Sequence, residues 1–165
     1  MSLEAIKNLR EQTSAGVMDC KNALEEAGGD IVKATELLRQ KGLALAAKKS
    51  ARETLEGIVD SYIHTGGRVG AIVELNCETD FVARTTEFKE LVHNIAMQVA
   101  AMAPLYVDNN AVPEENSTNP EESYLMEQPF IKDPTKTINE LINETMARVG
   151  ENIRVRRFER FALGE

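Results

Sequence analysis

Apolar residues recur every three or four positions through the first forty residues, a period that predicts three short helices. Leu3, Ile6 and Leu9 mark the first, behind a Ser2 able to cap it. The loop Thr13-Ser14-Ala15-Gly16 interrupts the pattern. Val17, Cys20, Leu24 and Ala27 then resume it as a second stripe, which Gly28-Gly29 is expected to close. Asp30 can cap a third helix with the stripe Ile31, Ala34, Leu37 and Leu38, and Gly42 is expected to stop it. Residues 43–55, LALAAKKSARETL, are rich in alanine and charge and read as a helical connector.

From Glu56 the period falls from 3.6 to 2. Segments 57–64 and 69–77 predict two strands joined by a hairpin at Thr65-Gly66-Gly67-Arg68. Val69, Ala71, Val73, Leu75 and Cys77 share one face of the second strand. Ile72 is the only large apolar residue on the other, so one face of the sheet is expected to be buried and the other wet. A helix follows, capped near Thr85 or Thr86, with the stripe Phe88, Leu91, Val92, Ile95, Val99 and Met102 and with Pro104 beyond its end. Segment 108–123, DNNAVPEENSTNPEES, has almost nothing to bury and reads as loop. A last helix from about Lys136 to Val149 would turn Ile138, Leu141, Ile142, Thr145 and Val149 inward and end at Gly150. The chain closes on a third strand in which Ile153, Val155, Phe161 and Leu163 share one phase. The expected fold is α+β. A three-helix module spans residues 1–42 and a helical connector 43–55; residues 56–165 form a small antiparallel three-stranded sheet covered on one face by helices.

Composition narrows the function classes. The 165 residues are 42% hydrophobic and 28% charged, the balance of a soluble globular protein. No run approaches the ~20 apolar residues of a membrane span, and the opening MSLEAIKNLREQT lacks the apolar core of a secretory signal. A net charge of −8 repels phosphate backbones, and without tryptophan there is little to stack on bases. Nucleic acid is therefore a poor partner. The basic groups Lys48-Lys49 and Arg154, Arg156, Arg157 and Arg160 read as solvated faces. Cys20 and Cys77 lie within apolar patterns and read as buried free thiols.

Catalytic patterns are scarce. His64 and His93 fall in no nucleophile or metal motif, and Cys77 alternates with core residues. There is no P-loop, no GxGxxG and no HExxH, and the glycines of GGRVG (66–70) join two strands rather than open a helix. Glu74, Glu78 and Asp80 gather no further ligands, so neither a metal nor a cofactor is expected. A binding module is favoured over an enzyme. One stretch then stands out, Thr79-Asp80-Phe81-Val82, just past the second strand. Two readings of it stay open. Asp80 caps a helix while Phe81 and Val82 pack back as a hydrophobic staple. Alternatively, Phe81 projects as an anchor for a partner's pocket, where a buried aromatic typically carries about 2 kcal/mol or more.

Four stretches resemble, in the same order, the elongation factor Ts family of bacteria and organelles. They are LREQTSAGVMDCKNALEEAGGD (9–30), EGIVDSYIHTGGRVGAIVELNCETDFVAR (56–84), LMEQPFIKDP (125–134) and GENIRVRRFERFALGE (150–165). The resemblance implies a non-enzymatic guanine-nucleotide exchange factor for elongation factor Tu, the GTPase that carries aminoacyl-tRNA to the ribosome. It implies that the first module is ubiquitin-associated-like (UBA-like) and touches the GTPase, with Arg10, Val17 and Met18 at contact positions. The family's TDFV motif falls on Thr79, Asp80, Phe81 and Val82. Its Asp-Phe pair intrudes between helices of the GTPase and disturbs the Mg²⁺ and phosphate site.

The chain departs from the family at Gln12, where Arg is common, at Ser14, where Gly is usual, and at Val17, where Met is usual. The segment between Val107 and Leu125 is shorter than in many members. A second core subdomain is absent, and short members supply it by homodimerising, so a homodimer is an expectation. The likeness also implies a cytoplasmic location, or the stroma or matrix of an organelle. The rival readings are a UBA-like protein-binding adaptor without exchange activity, a hydrolase built on Cys77 and His64, and a tRNA-binding protein.

Overall fold

The computed structural model describes residues 2–13, 15–108 and 119–165. In chain order the elements are α1 (Leu3–Thr13), α2 (Val17–Glu26), α3 (Ile31–Lys49), β1 (Glu56–Ile63), β2 (Val69–Cys77), α4 (Asp80–Ala83) and α5 (Thr86–Met102). There follow α6 (Pro120–Ser123), a 3-10 turn (Leu125–Glu127), β3 (Pro129–Phe130), β4 (Asp133–Thr137), α7 (Ile138–Val149) and β5 (Ile153–Ala162).

Helices α1 and α3 begin where local chemistry starts them. The Ser2 hydroxyl accepts the Glu4 and Ala5 amides, and the Asp30 carboxylate accepts those of Val32 and Lys33. Leu9, Cys20, Ala23, Leu24, Ala34 and Leu38 form their own core. The expected stop at Gly42 is corrected, since this glycine lies inside α3. A mid-helix glycine costs about 1 kcal/mol, and the alanine- and leucine-rich flanks outweigh it. Gly42 also faces α7 closely, where an added Cβ would stand 3.8 Å from the Ala147 Cβ. The helix ends at Lys49 rather than running to residue 55. There the Asn152 side-chain amide donates to the carbonyls of Ser50 (3.4 Å) and Arg52 (2.8 Å), holding the chain in a non-helical path into β1.

The sheet is antiparallel in the order β1-β2-β5. Its hairpin closes through the His64 amide on the Val69 carbonyl, over Gly66 and Gly67 at φ 93° and 67°, a region glycine enters without a Cβ clash. Ala71, Val73, Leu75 and Cys77 are buried in the main core while Ile72 faces outward, as the alternation requires. The third strand departs from its expected phase. Glu74 pairs with Arg157 but Leu75 pairs with Val155, so Arg156 is the extra residue of a β-bulge. Ile153 and Val155 are buried before the bulge. Beyond it the phase inverts, and Phe158 packs on the core while Phe161 and Leu163 point to solvent.

Helix α5 starts at Thr85, whose hydroxyl accepts the Phe88 amide, and it lays Phe88, Leu91, Val92, Ile95 and Val99 on the sheet. Helix α7 starts with a reciprocal cap between Thr137 and Glu140, and Gly150 closes it. Met146 joins Ile138, Ile142 and Thr145 among its buried residues, while Leu141 and Val149 are only partly covered. Two features were not foreseen. One is the small β3–β4 hairpin; the other is the buried Gln98, which donates to Gln128 (3.2 Å) and the Pro129 carbonyl (3.1 Å) and accepts from the Ile131 amide (3.0 Å). Of the segment expected as loop, the last residues form the single turn α6. Residues 109–118 of that segment, like Ser14 of the first loop, lie outside the described residues. Among the described residues no helix is long and apolar enough to cross a membrane.

Candidate functional site

The end of β2 turns sharply into the single-turn helix α4, and this corner displays the residues singled out above. Thr79, rather than Asp80, is the cap. Its backbone is extended, with φ −130° and ψ 155°, and its hydroxyl accepts the Val82 amide at 3.4 Å. Thr79 takes the role because its side chain precedes the first helical amide, whereas Asp80 is already inside the turn. Successive side chains on a helix diverge by about 100°. Val82 and Ala83 therefore reach the main core, and Phe81 is carried to the opposite side, 78% exposed. Of the two residues read as packing back, Val82 is buried and Phe81 is not, and with Glu78 before the Thr79 cap no hydrophobic staple forms.

Asp80 stands beside Phe81 with its carboxylate 2.7 Å from the Arg84 guanidinium, one turn along. The pair is exposed, so it orients Asp80 more than it stabilises the fold. Beneath the corner, the Cys77 thiol donates to the Thr79 carbonyl at 3.1 Å. Burial, with the Glu151 carboxylate adding to it, pushes this thiol up to about 11. A thiol held protonated at neutral pH is a hydrogen-bond donor rather than a nucleophile. Both cysteines are free and buried.

Two acidic residues close the site from the side. The Glu151 carboxylate accepts the Glu78 amide (3.2 Å), the Thr79 amide (3.0 Å) and the Thr79 hydroxyl (2.6 Å). In return the Glu78 carboxylate accepts the Asn152 amide at 2.7 Å and the Arg52 guanidinium at 3.4 Å. Reading along the chain missed Glu151, Asn152 and Arg52, because each lies far from Glu78 and Thr79 in sequence; the β2–β5 pairing brings in Glu151 and Asn152, and the β1–β2 pairing Arg52. The only signal was an acidic residue directly after the helix-ending Gly150.

The N-terminal candidates sit elsewhere. Arg10 is exposed on the last turn of α1, and Val17 and Met18 are exposed on the first turn of α2. Among the described residues no hydrogen bond or ion pair joins this trio to Thr79, Asp80, Phe81 or Val82. The trio is exposed, whereas at the corner Phe81 alone of the four motif residues is. No group of three or more histidine, cysteine or acidic side chains able to hold a metal ion occurs among the described residues.

Comparison with known proteins agrees on one family. The family model described as Elongation factor TS matches residues 5–122. Elongation factor Ts of Thermotoga petrophila is 50% identical over 193 positions, covering 100% of this chain and 97% of that protein. The Carboxydothermus hydrogenoformans protein of the same name is 50% identical over 192 positions, covering 98% of this chain and 88% of its own. That of Moorella thermoacetica is 50% identical over 190 positions, covering 97% and 94%. The first of these alignments is 28 positions longer than the 165 residues of the chain, so the relative carries segments that this chain lacks.

Proposed function

The chain belongs to the elongation factor Ts family and is a translation elongation factor, and on that premise we propose that it speeds GDP release from elongation factor Tu without making or breaking a covalent bond. The observation that carries this reading is Phe81. A large apolar side chain stands in solvent beside a carboxylate, on a turn tied to a buried sheet end. Leaving it there forgoes on the order of 2 kcal/mol of burial, which a partner's pocket can supply.

GDP and Mg²⁺ hold the loops of a GTPase in one arrangement through charge-assisted contacts. In our reading Phe81 and Asp80 enter between helices of the GTPase and favour another arrangement, in which the Mg²⁺ and phosphate contacts are weaker. Linkage then requires GDP to weaken the binding of this protein by the same factor. Phe81 supplies binding energy, and its rigid mounting keeps the ordering cost of association low. Arg10, Val17 and Met18 form a second contact on the nucleotide-binding domain. The N-terminal helices and the sheet core divide these tasks, with the place of action the compartment of translation, the cytoplasm of a bacterium. The direct test is release of a fluorescent GDP analogue from elongation factor Tu at fixed Mg²⁺. Marked acceleration supports the reading, and an unchanged rate overturns it.

The outer face of the sheet supports a homodimer. The register puts Val59, Ile63, Ile72 and Phe161 on this one face, and all four are exposed. Gly70 lies between Ile63 and Phe161, and an added Cβ there would meet Ile63 Cδ1 at 2.6 Å, so the isoleucine lies flat across the strand. The same patch of a second copy can cover these apolar side chains across a twofold axis, with Glu74, Arg157 and Glu159 beside them on the face.

A further inference from the structure

We propose that Glu151 is a positioning residue for Phe81. It acts by fixing the β2–α4 corner from which Phe81 projects. The inference rests on the exchange-factor reading and adds to it a residue outside the TDFV motif.

Helix α4 has four residues, too short to hold its own orientation. Its direction is set by what grips its first residues. Three donors of the corner, the amides of Glu78 and Thr79 and the hydroxyl of Thr79, converge on one carboxylate at 2.6–3.2 Å. The hydroxyl that gives its proton to Glu151 is the same one that caps α4 by accepting the Val82 amide. Glu151 therefore sets the rotamer of the cap, and the cap sets the axis of the turn carrying Phe81.

Neighbouring elements do not need this carboxylate. Gly150 already closes α7, and the pairing of Cys77 with Ile153 already closes the ladder. Glu78 and Asp80 have their own cations, Arg52 and Arg84, so the Glu151 carboxylate is left to the donors of the corner. The carboxylate therefore serves the geometry of the corner from which the exposed Phe81 projects.

The test is a cycle on GDP release from elongation factor Tu with four proteins: unaltered, Glu151→Gln, Phe81→Leu and the double variant. Phe81→Leu shortens the anchor without removing it. Glu151→Gln alone is expected to lower kcat/KM for exchange about tenfold, the scale of one lost hydrogen bond to a charged group. In the Phe81→Leu background the same change should cost much less, because less remains to be positioned. Hydrogen exchange of residues 79–83 should quicken in Glu151→Gln while that of β2 does not. Glu151→Asp keeps the charge but withdraws it by one methylene, and should repeat the dependence on residue 81 if the glutamine variant folds poorly. An equal fold-loss in both backgrounds, or none in either, overturns the positioning role and leaves the exchange function standing. Failure of the unaltered protein to accelerate release overturns both.

Discussion

Phe81 and Val82 are adjacent in the chain and opposite in burial, the first 78% exposed and the second 8%. One residue step, about 100° around a single turn of helix, separates the residue that holds the corner to the fold from the residue that it offers to a partner. Stability and function should therefore part at this peptide bond. Val82→Ala is expected to lower stability by about 1–2 kcal/mol, and Phe81→Ala to change it by no more than about 0.5 kcal/mol. Urea unfolding followed by circular dichroism measures both.

The buried Gln98 latches α5 to the β3–β4 hairpin through hydrogen bonds to three groups. Gln98→Ala removes one side chain and strands the Ile131 amide and the Gln128 and Pro129 acceptors. The expected loss is about 1–2 kcal/mol, since the buried Gln128 loses a partner and the partly covered Ile131 amide another. Loss of protection at the Ile131 amide in hydrogen exchange would locate the effect.

Gly42 offers the opposite sign. Its helical backbone suits alanine, and a Cβ there meets Ala147 at 3.8 Å, an ordinary contact. Gly42→Ala should stabilise by about 0.5–1 kcal/mol, raising Tm by about 1–4 °C. A fall in Tm would mean that α3 and α7 lie closer than described.

Cys77 sets a dependence on alkaline pH. Its folded pKa is raised to about 11 from an ordinary 9.0, so the folded state keeps a proton that the unfolded chain gives up. This contribution to stability is fully present below pH 9.0 and is lost as pH rises towards about 11. Unaltered protein should therefore lose more stability across that window than Cys77→Ser, and parallel curves would contradict the assignment.

The outer sheet face bears on assembly. Ile72→Glu places a charge on the middle strand of the exposed patch, and Phe161→Glu one on its β5 edge. Light scattering is expected to show a dimer for the unaltered chain and a monomer for either variant. A monomer for the unaltered chain with full exchange activity contradicts the homodimer.

Local chemistry made much of this molecule legible. Ser2, Asp30, Gly66-Gly67 and Gly150 act within a turn of themselves, and the alternation in β2 reports burial directly. What was hidden depends on pairing. The phase of Phe161 inverts because Arg156 is bulged, and the bulge exists only in the register with Glu74 and Leu75. Gly42 looks like a stop until α7 lies against it. At the site, the motif named Thr79, Asp80, Phe81 and Val82, but their division into cap, exposed anchor and buried root needed the three-dimensional corner. Glu151 was out of reach because 72 residues separate it from its closest partner.

The central claim is that Phe81, with Asp80, acts as a wedge on elongation factor Tu. Stopped-flow release of a fluorescent GDP analogue at fixed Mg²⁺ compares the unaltered protein with the Asp80→Ala/Phe81→Ala variant, checked for folding by its unfolding curve. The account expects strong acceleration by the first and a loss of about tenfold or more in the second, the scale of a buried aromatic anchor. Acceleration that survives both substitutions in a folded protein would contradict the wedge and move the work to Arg10, Val17 and Met18.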